Sequence, residues 1–249
     1  MKIRLPSTLK YSSTSDLIRL GRDYDGGYVV SESDVRKADL LISLGIADDW
    51  SFEEDFHKLT RVPIIAYDGS VGKSFFAKQI LKNIFRLDKP KLFFSSINNY
   101  LSYNSFFKVD KKHFENYVGL DFGKQFVSMS SILETHKNKK IFLKIDIEGS
   151  EYRILDSLIN YSDNICGLAI EFHDCDINLK KIENFISAFP HEIIHIHANN
   201  YSPVNFDIGI PLSLEITFSS TKPEISNFLL PHDLDMPNNN KSEEIKLFF

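Results

Sequence analysis

Cysteine is scarce in this chain: two in 249 residues, Cys166 and Cys175. A disulfide framework needs more, and a four-cysteine zinc site cannot be built. Two free thiols fit a reducing compartment, so a cytoplasmic protein is expected. No run approaches the ~20 uncharged apolar residues that cross a bilayer. The opening segment, Met1-Lys-Ile-Arg-Leu-Pro-Ser7, lacks the apolar stretch of a signal peptide. A basic surplus is missing too: 29 Lys+Arg stand against 34 Asp+Glu, a net charge of −5. That argues against a nucleic-acid partner.

What is present is the composition of a folded soluble protein, 43% apolar and 25% charged, with 21 Phe and 10 Tyr. Such a chain can bury a core and is not disordered. From residue 39 onward, apolar runs of strand length alternate with helix-period segments. The pattern predicts strands at 39–45, 63–68, 91–97, 141–147, 166–172, 192–197 and 212–218. It predicts helices at 51–59, 71–85, 130–136, 150–161 and 179–189. Residues 98–127 are aromatic and polar without a clear period, and suggest an inserted loop or lid. The alternation implies an α/β fold with parallel strands and helices on both faces. The last two strands have no helix between them, so one strand at the end runs antiparallel. No segment reads as a linker. A single domain over 1–249 is expected, with 1–38 packed on its core.

In a doubly wound sheet the ligand site lies at the carboxyl ends of the strands. The chain delivers polar residues there repeatedly: Gly45-Ile-Ala-Asp-Asp-Trp-Ser51, Asp68-Gly69, Asp146-Ile-Glu-Gly149, Glu171-Phe-His-Asp174 and His195-Ile-His-Ala-Asn-Asn200. The Gly45 turn lacks the three-glycine dinucleotide fingerprint, and no Gly-Lys-Ser/Thr phosphate loop follows it, which disfavours NAD and ATP. Asp48 and Asp49 would repel a pyrophosphate but suit a ligand with a cationic centre, such as S-adenosylmethionine. Asp68 is placed to accept hydrogen bonds from the ribose diol of such a ligand, and Gly45 to let the backbone approach it. Arg22, in Gly21-Arg-Asp-Tyr-Asp-Gly-Gly27, is a candidate cation for a carboxylate or phosphate; a surface arginine beside a hairpin turn is the alternative.

The strongest local signal is Leu143-Lys-Ile-Asp-Ile-Glu-Gly-Ser-Glu-Tyr-Arg-Ile-Leu155. It resembles the FkbM-like family of S-adenosylmethionine-dependent methyltransferases, whose hallmark run Lys-Ile-Asp-Val/Ile-Glu-Gly-x-Glu is filled here by Lys144, Asp146, Glu148, Gly149 and Glu151. Segments 20–28, 43–53, 195–200 and 234–239 are similar to a subgroup of these enzymes. Ala47 stands where many methyltransferases have a second glycine. The resemblance implies a class I methyltransferase fold, a Rossmann-like, seven-stranded, mostly parallel sheet with the last strand antiparallel. It also implies S-adenosylmethionine as methyl donor. Because many relatives methylate sugar hydroxyls, it implies a sugar or nucleotide-sugar acceptor, in surface polysaccharide (capsule) biosynthesis.

Methyl transfer to a hydroxyl needs alignment of donor and acceptor and a base within reach. The candidate catalytic residues are Asp146, His173 and His195. His195 and His197 point to the same side of their strand. The expected cofactor-binding set is Arg22, Gly45, Asp49, Ser51, Asp68, Gly69 and Asp146, and the expected substrate-binding set is Glu148, Glu171, His197, Asn199 and Asn200. Asp146, Glu171 and His173 also raise the rival of a divalent metal. The resemblance does not demand one, and no metal is expected. N-methylation of a small amine or phosphoamine is the alternative reaction, and a non-catalytic scaffold the non-enzymatic one. The sequence leaves the oligomeric state open, a homo-oligomer included.

Overall fold

The computed structural model of the chain describes residues 1–12, 14–84, 89–223 and 230–249. Its centre is a sheet of seven strands: β1 (Leu40–Leu44), β2 (Ile64–Tyr67), β3 (Lys111–Phe114), β4 (Ile141–Ile145), β5 (Ile165–Phe172), β6 (Glu192–Ala198) and β7 (Leu214–Ser219). The spatial order is β6-β7-β5-β4-β1-β2-β3. All pairings are parallel except the two made by β7, which runs antiparallel to both β5 and β6. The expected class I methyltransferase sheet, with a single reversed strand last in sequence, is what forms.

The middle strands are buried along their whole length. That is why Leu40-Leu-Ile-Ser-Leu44 and Ile141-Phe-Leu-Lys-Ile145 read as continuous apolar runs rather than alternations. Among the described residues, seven α-helices flank the sheet: α1 (Glu32–Lys37), α2 (Ser51–Thr60), α3 (Lys73–Ile84), α4 (Pro90–Phe106), α5 (Met129–Thr135), α6 (Leu155–Asn160) and α7 (Cys175–Ala188). None is long and apolar enough to cross a membrane. The helix predicted at 71–85 matches α3 up to Ile84; residue 85 lies outside the described residues.

Two expectations are corrected. Lys91-Leu-Phe-Phe-Ser-Ser-Ile97 is not the third strand but the opening of α4, with Pro90 at its first position. Proline is well placed there because the first helical amides have no partner to lose. The third strand is Lys111–Phe114, whose exposure alternates along the sheet edge. Residues 98–127 are therefore no insertion. They hold the second half of α4, strand β3, and a short parallel pairing of Tyr117–Val118 with Phe126–Val127.

An N-terminal hairpin pairs Leu17–Leu20 with Tyr28–Ser31 and lies over β5, β6 and β7. Thr217 Oγ1 of β7 donates to the carbonyl of Val29 at 2.7 Å, tying the hairpin to the sheet. On the far side, Lys2–Arg4 pairs in parallel with Lys246–Phe248.

Candidate active site

The carboxyl ends of β1, β2 and β4 open into a cavity of about 360 Å³. Gly45, one residue past β1, adopts φ +78°, and a Cβ there would stand 1.7 Å from the carbonyl oxygen of Asp146. The glycine is thus required by the backbone leaving β4, rather than by a ligand. Lys144 Nζ completes the junction: it donates to the Gly45 carbonyl at 2.6 Å and lies 3.9 Å from Asp146 Oδ2. Asp68, after β2, caps the same turn. Its Oδ2 accepts from the amides of Ile46 and Ala47 at 3.0 and 2.8 Å, and its Oδ1 from the amide and hydroxyl of Ser70. Burial alone would raise this carboxyl, but those hydrogen bonds outweigh it and hold it below the usual carboxylate range. Gly69 follows, packed against the ring of Tyr117.

The tip of the N-terminal hairpin forms another wall. Arg22 Nε lies 3.2 Å from Asp49 Oδ2 and donates to the carbonyl of Asp25 at 2.6 Å. The Arg22 amide donates to Ser51 Oγ, and that hydroxyl donates to Asp49. Arg22 and Lys144 are the lining cations, and both are engaged. Asp25, Asp48, Asp49, Glu53, Asp68, Asp146 and Glu148 also line the cavity, so its field is negative. Gly72-Lys73-Ser74 does open α3, yet the Glu115 carboxylate is packed against Gly72, where it would repel an anion.

Asp146 joins the cavity to a second, deeper group. Its Oδ2 accepts from the hydroxyl of buried Tyr28 at 3.2 Å, and its Oδ1 lies 3.8 Å from His173 Nε2. The same nitrogen lies 3.5 Å from Glu148 Oε2 and 3.6 Å from Glu171 Oε1. His173 Nδ1 meets Glu151 Oε1 at 3.1 Å, and that oxygen also accepts from the amides of Ile147 and Gly149. Burial works against a charge on His173, but the Glu151 hydrogen bond and the surrounding carboxylates prevail and push it up to about 9. Glu171, 4% exposed, is raised well above the ordinary carboxyl value by burial and by the charges of Asp146 and Glu215. Asn199 Nδ2 donates to Glu171 Oε1 at 2.8 Å.

The structure thus brings together Arg22, Gly45, Asp49, Ser51, Asp68, Gly69 and Asp146 at the cavity, with Glu148, Glu171, His173 and Asn199 adjoining. It does not bring His195, His197 or Asn200 there. His195 Nε2 lies 3.0 Å from buried Asp235. His197 is held between Glu215 at 3.1 Å and Glu244 at 2.8 Å. Asn200 exchanges hydrogen bonds with the backbone of 239–243. All three fasten the C-terminal segment, because β7 and β5 both lie between β6 and β4, the strand that leads into Asp146. Sequence reading assigned no role to Tyr28, Glu53 or Glu215. Tyr28 follows a Gly-Gly turn, the one local cue; nothing pairs it with a residue 118 positions away.

Among solved structures, the chain is similar to three methyltransferase-like or RNA-processing proteins. One is a candidate RNA methyltransferase of Pyrococcus horikoshii (11% identity, TM-score 0.40, 76% of this chain and 78% of that one). Another is the precorrin-6y C5,15-methyltransferase of Geobacter metallireducens (11%, 0.37, 76% and 85%). The third is the fibrillarin pre-rRNA processing protein of Methanococcus jannaschii (7%, 0.36, 75% and 68%). Likenesses this distant decide nothing about chemistry, and the fold stands on the strand order. No curated protein matches the chain. Residues 102–204, which include Asp146, Glu171 and His173, match the family described as Methyltransferase FkbM domain. That segment, about two-fifths of the chain, is similar to a methyltransferase domain.

Proposed function

We propose that the protein methylates a hydroxyl group of a sugar, as a step in building a surface polysaccharide. The observation that carries this reading is Asp146, a carboxylate on the wall between an acid-lined cavity and the group around His173 and Glu171. S-adenosylmethionine, the donor used by the family, supplies a methyl group on a sulfonium that leaves readily. Its two cationic centres suit the negative lining. Arg22, Asp49, Ser51, Asp68 and Gly69 would hold it. Asp68 already accepts four hydrogen bonds, so a ribose hydroxyl would take the place of Ser70 Oγ.

The chain's own residues must then align the acceptor and take its proton. His173, pushed up to about 9, carries a proton near neutrality and so acts as a cation beside Asp146 rather than as a base. Asp146 is left to accept the hydroxyl proton, an effect worth ~10²–10⁴-fold. Tyr28 fixes the orientation of Asp146. Glu148, Glu171 and Asn199 lie on the acceptor side. His195, His197 and Asn200 support the wall from the C-terminal segment.

With both lining cations engaged, the phosphates of a nucleotide-linked sugar would have to sit outside the cavity. The same negative lining favours one second reading, methylation of an amine. Labelled methyl transfer over a panel of free sugars, nucleotide-sugars and amines tests both, with the product's methyl resonance separating O- from N-methylation. Binding of the donor itself is read as a rise in melting temperature with S-adenosylmethionine or S-adenosylhomocysteine. No rise at millimolar ligand would sink the donor site, and labelling of no hydroxyl would sink the sugar reading.

A further inference from the structure

We propose that Asp146, Glu171 and His173 form a binding site for one divalent cation of the hard class, Mn²⁺ or Mg²⁺. Each of the three offers one ligating atom, and these atoms all lie within 4.8 Å of one another. Ligands held ~2.1 Å from an octahedral ion stand ~3.0 Å apart when adjacent and ~4.2 Å apart when opposite. His173 Nε2 stands 3.8 Å from Asp146 Oδ1 and 3.6 Å from Glu171 Oε1, between those two values. Two carboxylates with a single imidazole form an oxygen-rich donor set of a kind that Mn²⁺ and Mg²⁺ accept, with water filling the remaining positions.

The second observation is independent of the proximity. Each of the three residues is fixed by a hydrogen bond through one atom and leaves its other donor atom without one. Asp146 is held at Oδ2 by Tyr28, leaving Oδ1. His173 is held at Nδ1 by Glu151, leaving Nε2, which three carboxylates surround at 3.5–3.8 Å, too far for hydrogen bonds. Glu171, 4% exposed, is held at Oε1 by Asn199; that same oxygen lies 3.6 Å from His173 Nε2 and keeps a second lone pair for an ion, while Oε2 takes no hydrogen bond among the described residues. A carboxylate on the far nitrogen of a ligating histidine, with amide and hydroxyl donors on the ligating acids, is how proteins aim first ligands at a metal. Glu171 is the buried carboxylate of the group, and a buried charge without a counter-charge is otherwise costly. Glu148 is exposed at the rim, where an ion would enter.

The cation's use rests on the methyl-transfer reading, since it would lie beside Asp146 where the acceptor hydroxyl is expected; its binding does not. The test uses the full chain stripped with a chelator and titrated with Mn²⁺ alone, free Mn²⁺ being read by electron paramagnetic resonance. One equivalent should bind at sub-millimolar concentration, with Mg²⁺ displacing it. Glu171→Gln and Asp146→Asn, which keep size and hydrogen bonding, should each weaken binding at least tenfold. Glu134→Gln, on the exposed face of α5, should not change it. Absence of saturable binding, or equal affinity in both site variants, overturns the proposal. Should a variant not fold, sub-stoichiometric Mn²⁺ must still broaden the His173 imidazole resonances of the wild-type chain, and unaffected resonances overturn the proposal. A melting shift with S-adenosylmethionine on the same samples separates the two claims. A shift without Mn²⁺ binding overturns the cation site alone; Mn²⁺ binding without a shift supports the site and overturns the donor site.

Discussion

Replacing Gly45 with alanine probes the junction on which the site depends. The added Cβ would sit 1.7 Å from the Asp146 carbonyl oxygen, where real Cβ contacts essentially never fall below 3.0 Å. The ends of β1 and β4 must therefore part by more than an ångström. Holding alanine at φ +78° costs about 1–2 kcal/mol. The forced separation adds roughly 1–3 kcal/mol, as overpacking does. Together these lower the melting temperature by on the order of 10 °C for a domain of this size. Gly123→Ala is the internal control. It has φ +70° but nothing within 4 Å, so it should show the conformational part alone. Displacing Asp146 by an ångström should also cost about 10²-fold in turnover. Differential scanning calorimetry and a methyl-transfer assay on the two variants decide the matter. If Gly45→Ala melts and turns over like Gly123→Ala, the contact argued here does not constrain the site.

Asp146→Asn should lower kcat by ~10²–10⁴-fold while the melting temperature stays within a few degrees; retained turnover would remove Asp146 as the base. Tyr28→Phe should lower kcat more than it raises KM, because it loosens the base without touching the donor, and an effect confined to KM would contradict that. His197 is raised well above its ordinary value: burial opposes the charge, but hydrogen bonds to Glu215 and Glu244 outweigh it. Its contribution to stability is therefore full below about pH 6.5 and lost as pH rises through the folded-state value. Denaturant melts of His197→Gln against wild type should differ by about 3 kcal/mol at pH 6, with the gap narrowing toward pH 9; a gap independent of pH would refute the pairing. Cys166 and Cys175 are buried, and burial pushes both thiols up, Cys166 to about 12. Neither should react with Ellman's reagent at pH 8 until denaturant is added, and fast labelling of the native protein would show the burial to be wrong.

The legible part of the site was the part written in consecutive residues. Lys144 through Glu151 are one strand end and one turn, so their spacing in sequence is their spacing in space. Asp68 and Gly45 followed from the rule that ligands sit at strand ends. The histidines of β6 misled because a strand tells which side chains share a face but not which strand lies beside it. Insertion of β7 between β5 and β6 is set by pairing between distant segments, and it carries His195 and His197 away from Asp146. The third strand misled for a different reason. Leu92-Phe93-Phe94 has the apolar density of a buried strand, whereas true β3, Lys111-Lys-His-Phe114, is a polar edge with little apolar signal. Tyr28 lay beyond reach of any local pattern.

The N-terminal hairpin has an evolutionary consequence. Its strands are anchored to the sheet by Thr217 and by the Tyr28 hydroxyl, while its tip, with Arg22 and Asp25, forms one wall of the cavity. It lies wholly outside the segment 102–204 that matches the family. Mutations at that tip other than at Arg22 alter no strand order, no residue of the Asp146 turn and no residue proposed to hold the donor, so this part of the wall can change in shape and charge while the opposite side stays fixed. Under the proposed methyl-transfer reading, a change of acceptor would need changes in only a few codons there.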